Sequence, residues 1–390
     1  MKLETFTQMY RDRYSFNYTK LKYKFGVENT MEYIKTLKES FYKEINLLDF
    51  NGRYIVYLPE KVPMKMQNIK ALMKSYEGKP YGIQAMEEEI MATLSIEQID
   101  TTRESVRNIL YGSAPKSEEE NKAFAIKRGL DFIADPANKI TEENLYQLYT
   151  LSIGEFLEEE SKLIPWKKYR DDAVYVVGRD ITHQGLNYKL IPDYIKNMIY
   201  FIKQEDDIDE IIKSSIIHYY LAYIHPYFDG NGRMARLLQL WYLVQKGYTA
   251  SLFIPLSFYI NKSKGLYYKS FNMIMDNYKL SNILDITPFI EYYIKNVLEK
   301  LEIKQEDTKI LDQFQALLSN GEITEKEKAL FYFVLSAYGE QAFSTKQLEK
   351  DYKDVAYATV RTFVRKMEDK GLFTSQRYSN RIKYKVKVSD

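Results

Sequence analysis

The sequence predicts a mainly α-helical protein, with a helical core interrupted by one β-hairpin and followed by a small unit of three helices and a second hairpin. Three observations lead there. Apolar residues recur at three- and four-residue steps, or run without Gly or Pro, through stretches such as Ser214 to Tyr223 and Met234 to Val244, as in buried helices. The period changes in mid-chain, where Tyr169 to Gly178 is rich in β-branched and aromatic residues. After Thr324, three helical runs precede two strand-like runs, Leu372 to Gln376 and Arg381 to Val386, around a polar turn.

In chain order, Thr30 to Asn46 reads as helical, and Tyr54 to Leu58 as a short strand bounded by Asn51-Gly52 and Pro59. Met86 to Leu110 is helical to about Glu97, breaks at Asp100-Thr101-Thr102 and resumes with Thr102 and Ser105 as caps. Helices follow at Glu120 to Ile133 and Thr141 to Leu151. Gly185 to Leu190 then leads to Ile191-Pro192, which starts a helix through Ile202. Pro226 forces His225 out of the helical region and stops one core helix, and Gly247 stops the next. Lys269 to Asn277 and Thr287 to Leu301 close the core, and the polar runs Lys304 to Thr308 and Ser319 to Gly321 mark a connector. Beyond it, Thr324 to Tyr338 is a helix, and Ser344 caps a second with Gln347 at the capping-box position. Tyr357 to Asp369 is a third, turning Val360, Phe363, Val364 and Met367 inward.

A chain of 390 residues exceeds a usual single domain. The expected division is a helical N-terminal segment (1–115), a core (116–302), a linker (303–323) and a C-terminal unit (324–390). Lys plus Arg number 56 against 54 Asp plus Glu, so net charge alone makes no case for nucleic acid or membrane. The absence of cysteine excludes disulfides, thiol catalysis and Cys-ligated zinc. There is no signal-peptide core at the N-terminus and no 18-residue apolar run, so a cytoplasmic protein without membrane contact is expected. Only His183, His218 and His225 are available as a histidine base.

Between the two core helices lies Ile224-His225-Pro226-Tyr227-Phe228-Asp229-Gly230-Asn231-Gly232-Arg233-Met234-Ala235-Arg236. Gly230-Asn231-Gly232 permits left-handed backbone that turns N–H groups toward one point. The following helix offers its free N–H groups and positive dipole end to the same point, which makes an anion cradle. Arg233 and Arg236, three apart, can both lean over it, and their forked donors suit the oxygens of a di- or triphosphate. Asp229 at the lip would be repelled by bare phosphates unless a hard cation such as Mg2+ lay between them. His225, with an ordinary pKa of about 6.5, is suited to take a proton from a hydroxyl attacking phosphorus. A single glycine-rich turn is more often a structural loop; base, metal ligand, cradle and two cations within twelve consecutive positions are another matter.

These residues resemble the signature of the Fic family, H-P-F-x-[DE]-G-N-G-R-x-x-R, with Tyr227 at the Phe position, where a buried phenol hydroxyl would need a partner. The resemblance covers roughly Met86 to Leu301. It implies a protein adenylyltransferase with ATP as substrate, Mg2+ held by Asp229, and the phosphates on Gly230, Asn231, Gly232 and Arg233 with the terminal one on Arg236. Tyr267 and Tyr268 are similar to the family's nucleobase wall, although with 36 tyrosines in the chain a core role is nearly as well founded. Residues 174–190 resemble the flap that lines up the target protein by edge pairing. His183 in it reads as a surface residue, and His218 as a satisfied structural histidine.

Thr93 to Gln98 resembles the inhibitory motif [ST]-x-x-x-E-[GN], departing at Gln98. A glutamate against Arg236 would occupy the cation meant for the terminal phosphate; Glu97 is either that residue or a solvated helix carboxylate. Two other readings stay open, a hydrolase that removes AMP with Glu97 positioning water, and a nucleotide-sensing regulator that binds DNA. The C-terminal unit looks like a winged helix-turn-helix. Residues 344–390 carry twelve Lys and Arg against six Asp and Glu. Arg361, Arg365, Lys366, Arg377 and Arg381 would suit DNA, while such units serve equally as protein-docking or homodimer surfaces.

Overall fold

The computed structural model describes residues 1–62, 73, 83–177, 182–248, 251, 254–301, 313–314, 316–318, 320–338, 342–352, 355–378 and 381–387. The described residues are mostly helical, and the three sheets among them are two-stranded antiparallel hairpins.

The N-terminal layer consists of α1 (Leu3–Arg11), α2 (Tyr18–Phe25) and α3 (Val27–Ser40), followed by β1 (Lys43–Leu48) and β2 (Tyr54–Tyr57). The helix expected to run to Asn46 ends at Ser40, because Lys43, Glu44 and Ile45 pair with Tyr57, Val56 and Ile55. Long-range pairing overrides a helical local pattern there. Met9, Tyr18, Leu21, Tyr33 and Leu37 form a small core of their own. Polar groups anchor the layer, since the Tyr18 N–H donates to Asn277 (3.0 Å) and the Tyr42 hydroxyl to buried Asp285 (3.0 Å).

Then come α4 (Ile83–Ile96), α5 (Arg103–Leu110), α6 (Glu118–Ala134) and α7 (Glu142–Ser152), with the oxygens of Thr102, Ser117 and Thr141 capping the last three. The mid-chain β region is narrower than its composition suggests. Its ladder is β3 (Tyr175–Val177) against β4 (Thr182–Gln184), and residues 178–181 between them lie outside the described residues. Next are α8 (Ile191–Lys203), α9 (Glu210–Ile224), α10 (Asn231–Gln245), α11 (Leu256–Lys262), α12 (Lys264–Ser281) and α13 (Thr287–Asn296). Helices α9 and α10 pack on each other at the centre of one large core and are buried on nearly every side, which explains why they carry so few charges.

The expected polar connector 304–308 lies outside the described residues. The C-terminal unit holds α14 (Glu325–Ala337), α15 (Thr345–Tyr352), α16 (Tyr357–Asp369) and the hairpin β5 (Phe373–Tyr378) with β6 (Arg381–Val386). Val360, Phe363, Val364 and Met367 do face its core, where Phe314 stacks on Phe331 at 3.9 Å. α14 packs against α4, and the rings of Phe333 and Tyr111 meet at 6.2 Å. Among the described residues no helix is long and apolar enough to cross a membrane.

Candidate active site

α9 ends at His225, whose backbone is left-handed (φ 56°, ψ 63°). A β-carbon makes that conformation cost about 1–2 kcal/mol. It turns the imidazole back over the helix end, with Nδ1 3.2 Å from the Ala222 carbonyl oxygen. A carbonyl only accepts, so Nδ1 carries the proton and Nε2 keeps its lone pair. Burial pushes the His225 pKa down to about 4, well below the 6.5 assumed from sequence, and the charge of Arg170 adds to the shift. Near pH 7 the ring is therefore neutral and ready to accept a proton.

The loop after His225 is fixed from within. The Asn231 side chain accepts from the Tyr227 N–H (2.9 Å) and donates to the Tyr227 carbonyl (2.8 Å). Asn231 is thus a brace, and what it offers the cradle is its own backbone N–H. Tyr227 is buried, stacked on Tyr149 at 3.7 Å, and its hydroxyl has no partner among the described residues. The ring fills the aromatic position of the signature while the extra oxygen goes unsatisfied.

The two glycines serve different ends. Gly230 is left-handed (φ 82°) and precedes α10, and a Cβ on it would lie 2.4 Å from Ile153 Cγ2. Gly232, expected to share that conformation, lies instead within α10. Its bareness is a matter of approach, since a Cβ there would stand 2.6 Å from Glu97 Oε1. Among the described residues no side chain caps α10, so its first N–H groups and positive end face the cradle.

Both arginines are buried, and each keeps a nitrogen without a partner among the described residues, Arg233 Nε and Arg236 Nη1. Arg233 Nη2 donates to Asp229 Oδ2 (3.0 Å), and Asp229 is 56% exposed on its side chain. Arg236 Nη2 donates to Glu97 Oε1 (2.6 Å), while its Nε donates to Thr93 Oγ1 (2.7 Å). A solvated helix carboxylate is therefore not what Glu97 is in this structure; its side chain is 29% exposed and faces the cradle. Gln98 beside it is left-handed (φ 60°), a conformation that Gly or Asn takes at lower cost.

Of the two tyrosines, Tyr267 is buried with its hydroxyl 3.0 Å from His218 Nε2, whereas Tyr268 is 44% exposed near Glu97. His218 is satisfied on both sides, by Gln239 (2.7 Å) and Tyr267. His183 is not the surface residue expected; it is half-buried, with Nε2 2.9 Å from the Tyr223 carbonyl and Phe50 alongside. Sequence reading missed Glu89, a buried carboxylate that accepts from the Ser257 N–H (2.9 Å) and hydroxyl and so fixes α4 to the start of α11. A signal exists, because Glu89 and Thr93 on α4 and Glu97 just past its end are spaced at i, i+4 and i+8.

Residues 139–243 match the Fic/DOC family. A protein adenylyltransferase, fic-1, of Caenorhabditis elegans is 27% identical over 251 residues, 61% of this chain and 44% of its own length. The protein adenylyltransferase Fic of Drosophila grimshawi is 27% identical over 164 residues, 40% of this chain and 31% of its own. This chain thus spans less than half the length of these curated relatives. A solved Fic family structure from Desulfovibrio desulfuricans G20 shares the fold, with a TM-score of 0.50 at 17% identity, covering 84% of this chain and 98% of that one. The fold and the loop between α9 and α10 define a Fic-type helical core. Residues 139–243 are thus a Fic/DOC family domain within this chain.

Proposed function

We propose that this protein is an adenylyltransferase that moves AMP from ATP to a Ser, Thr or Tyr hydroxyl of a target protein. The observation that carries the reading is the conjunction of a neutral His225, its Nε2 lone pair free by tautomer, with a start of α10 that is uncapped and two buried arginines each with a nitrogen that lacks a partner, among the described residues. The names of the worm and fly relatives support it. Nε2 of His225 takes the proton of the attacking hydroxyl, the α-phosphorus gains the bond to that oxygen, and the bond to the β-phosphate breaks so that pyrophosphate leaves. The N–H groups of the α10 start and Arg233 hold the phosphates, with Arg236 on the terminal one. Tyr268, with its exposed ring, is better placed than buried Tyr267 to meet the base. The target lies along the flap, where β3 and β4 pair only with each other among the described residues.

Asp229 fits Mg2+. Among the described residues no group of three metal-ligating side chains occurs, and one carboxylate completed by phosphate oxygens is a usual Mg2+ arrangement. The ion would neutralise charge on the phosphates.

Glu97 keeps the site off by holding the guanidinium that the terminal phosphate needs. The test is incubation with labelled ATP, GTP, UTP and CTP, with and without Glu97→Gly. Label from ATP on protein, raised by the substitution, is expected. Release of AMP by the wild type, lost in the variant, would point to the hydrolase instead.

A second reading concerns the C-terminal unit, which we infer to be a winged helix that binds duplex DNA. Arg361 and Arg365 lie on the exposed side of α16, as a groove-reading helix requires. Lys366, expected to join them, is turned away, since its ammonium lies 2.8 Å from both carboxylate oxygens of Glu327.

A further inference from the structure

Arg170 is a buried cation that the reaction described above does not use. It is 2% exposed, burial lowers its pKa, and among the described residues no carboxylate is salt-bridged to it. Its acceptors are three backbone carbonyls from three segments. Nε donates to the carbonyl of His225 (2.8 Å), Nη1 to that of Asp172 and Nη2 to that of Leu186. Its own N–H donates to Pro226 (3.0 Å).

Asp172 and Leu186 are the two stems of the flap, one entering β3 and the other leaving β4. The His225 carbonyl is among those that the end of α9 leaves without a helical partner, and a cation there is favoured by the helix dipole. The Leu186 N–H donates to the Ile224 carbonyl (3.1 Å), and the Gly185 N–H to Val174 (3.0 Å). Gly185 makes room for this junction. A Cβ on it would lie 2.8 Å from Arg170 Nη2, 2.8 Å from Val174 Cγ1 and 3.2 Å from His225 Cβ. One guanidinium therefore fixes the left-handed backbone of the base and both roots of the hairpin in a single frame.

We propose that Arg170 is a positioning residue which, by tying the His225 carbonyl to both stems of the flap, sets the distance between the base and a hydroxyl carried on a flap-paired target segment. Its link to catalysis rests on the adenylyl-transfer reading. Among the described residues Arg170 hydrogen-bonds to backbone carbonyls and to no side chain of the cradle or the imidazole, so its loss should spare ATP binding and slow the chemical step. Lysine keeps the charge but, as a point donor, cannot span the three carbonyls that the planar fork reaches.

The test uses the full chain carrying Glu97→Gly, with Arg170→Gln, Arg170→Lys and Gly185→Ala added singly. Self-modification from labelled ATP gives kcat and the KM for ATP; amide exchange at Gly185 and Leu186 and imidazole NMR of the three histidines report the frame without catalysis. For Arg170→Gln, kcat should fall about a hundredfold, the scale of a 1 Å misplacement, with KM for ATP within about twofold. The Leu186 amide should lose protection, and the His225 pKa should rise as a nearby cation is removed. Arg170→Lys should recover part of kcat, and Gly185→Ala should fall in the same direction as Arg170→Gln. Unchanged kcat together with intact protection at Leu186 would overturn the proposal. If Arg170→Gln does not fold, Gly185→Ala decides by the same two readouts. If the parent transfers nothing from ATP, the functional reading fails, yet exchange and the His225 resonance still decide whether Arg170 makes the frame. Lost protection and a moved resonance uphold it, and no change in either overturns it.

Discussion

One oxygen of Glu97 both pairs with Arg236, 2.6 Å from Nη2, and fills the space above Gly232 that a β-carbon would occupy. The carboxylate lies over the start of α10, where the adenylyl-transfer proposal puts the phosphates. A hydrogen bond between charged groups contributes about 1.5–3 kcal/mol, which corresponds to about ten- to a hundredfold in rate or occupancy. Glu97→Gly should raise transfer from ATP by a factor in that range. Equal transfer by Glu97→Gly and Glu97→Gly with Arg236→Ala would show that freeing the guanidinium is not how the glutamate acts.

The neighbour of Glu97 sets how firmly the carboxylate is presented. Gln98 holds φ 60° at the end of α4, with its N–H on Ser95 and the Ile99 N–H on Leu94. Asn tolerates this conformation better, by part of the about 1–2 kcal/mol that a β-carbon costs there. Gln98→Asn should lower basal transfer by about threefold, and it should change nothing once Glu97 is absent. An equal effect in both backgrounds would mean that residue 98 acts elsewhere.

If the adenylyl-transfer proposal holds, His225→Ala should abolish transfer and leave the Kd for ATP within about twofold, because the imidazole would act on the nucleophile and the cradle on the phosphates. Calorimetric titration with ATP beside the labelled-transfer assay separates the two. A variant that kept transferring AMP would remove His225 from the mechanism.

What was legible in the sequence was what is local. His225 to Arg236 is contiguous, and elementary conformational chemistry turns it into a cradle without knowledge of the rest of the fold. The Glu97–Arg236 pair spans 139 positions and was reached only through resemblance to a motif. Arg170 was not reached at all, since its partners are carbonyls, which every residue carries and no side-chain pattern announces. The strand at Asn46 was misread for a related reason, because pairing with Tyr54–Tyr57 is decided by the partner strand.

In the C-terminal unit, Arg361 and Arg365 lie on the exposed side of α16 while Lys366 is held by Glu327. If the unit meets duplex DNA through this face, Arg361→Ala with Arg365→Ala should weaken binding and flatten the plot of log affinity against log salt by about two. Lys366→Ala should leave that slope alone. Filter binding at several salt concentrations reads both, and no binding by the wild type at low salt would assign the face to a protein partner.

Acid should destabilise the fold, through its buried histidines. Burial pushes His218 down to about 3 and His225 down to about 4, and it lowers His183 as well. Below the unfolded value of about 6.5 the unfolded chain binds these protons while the folded chain does not. The stability present above that pH is therefore lost as pH falls toward the folded values. Asp285 has the opposite sign. Burial raises it to about 6 from 3.8, so it contributes stability below the lower figure that is lost as pH rises through the higher. Burial raises Glu89 as well, and three depressed histidines against two raised carboxyls still leave a net uptake of protons on unfolding across this interval. The Tm should fall between about pH 7 and pH 5, and His218→Asn, which removes one of the three, should shrink that fall relative to the parent. A Tm that held level over the interval would show that the histidines are not buried as neutral rings.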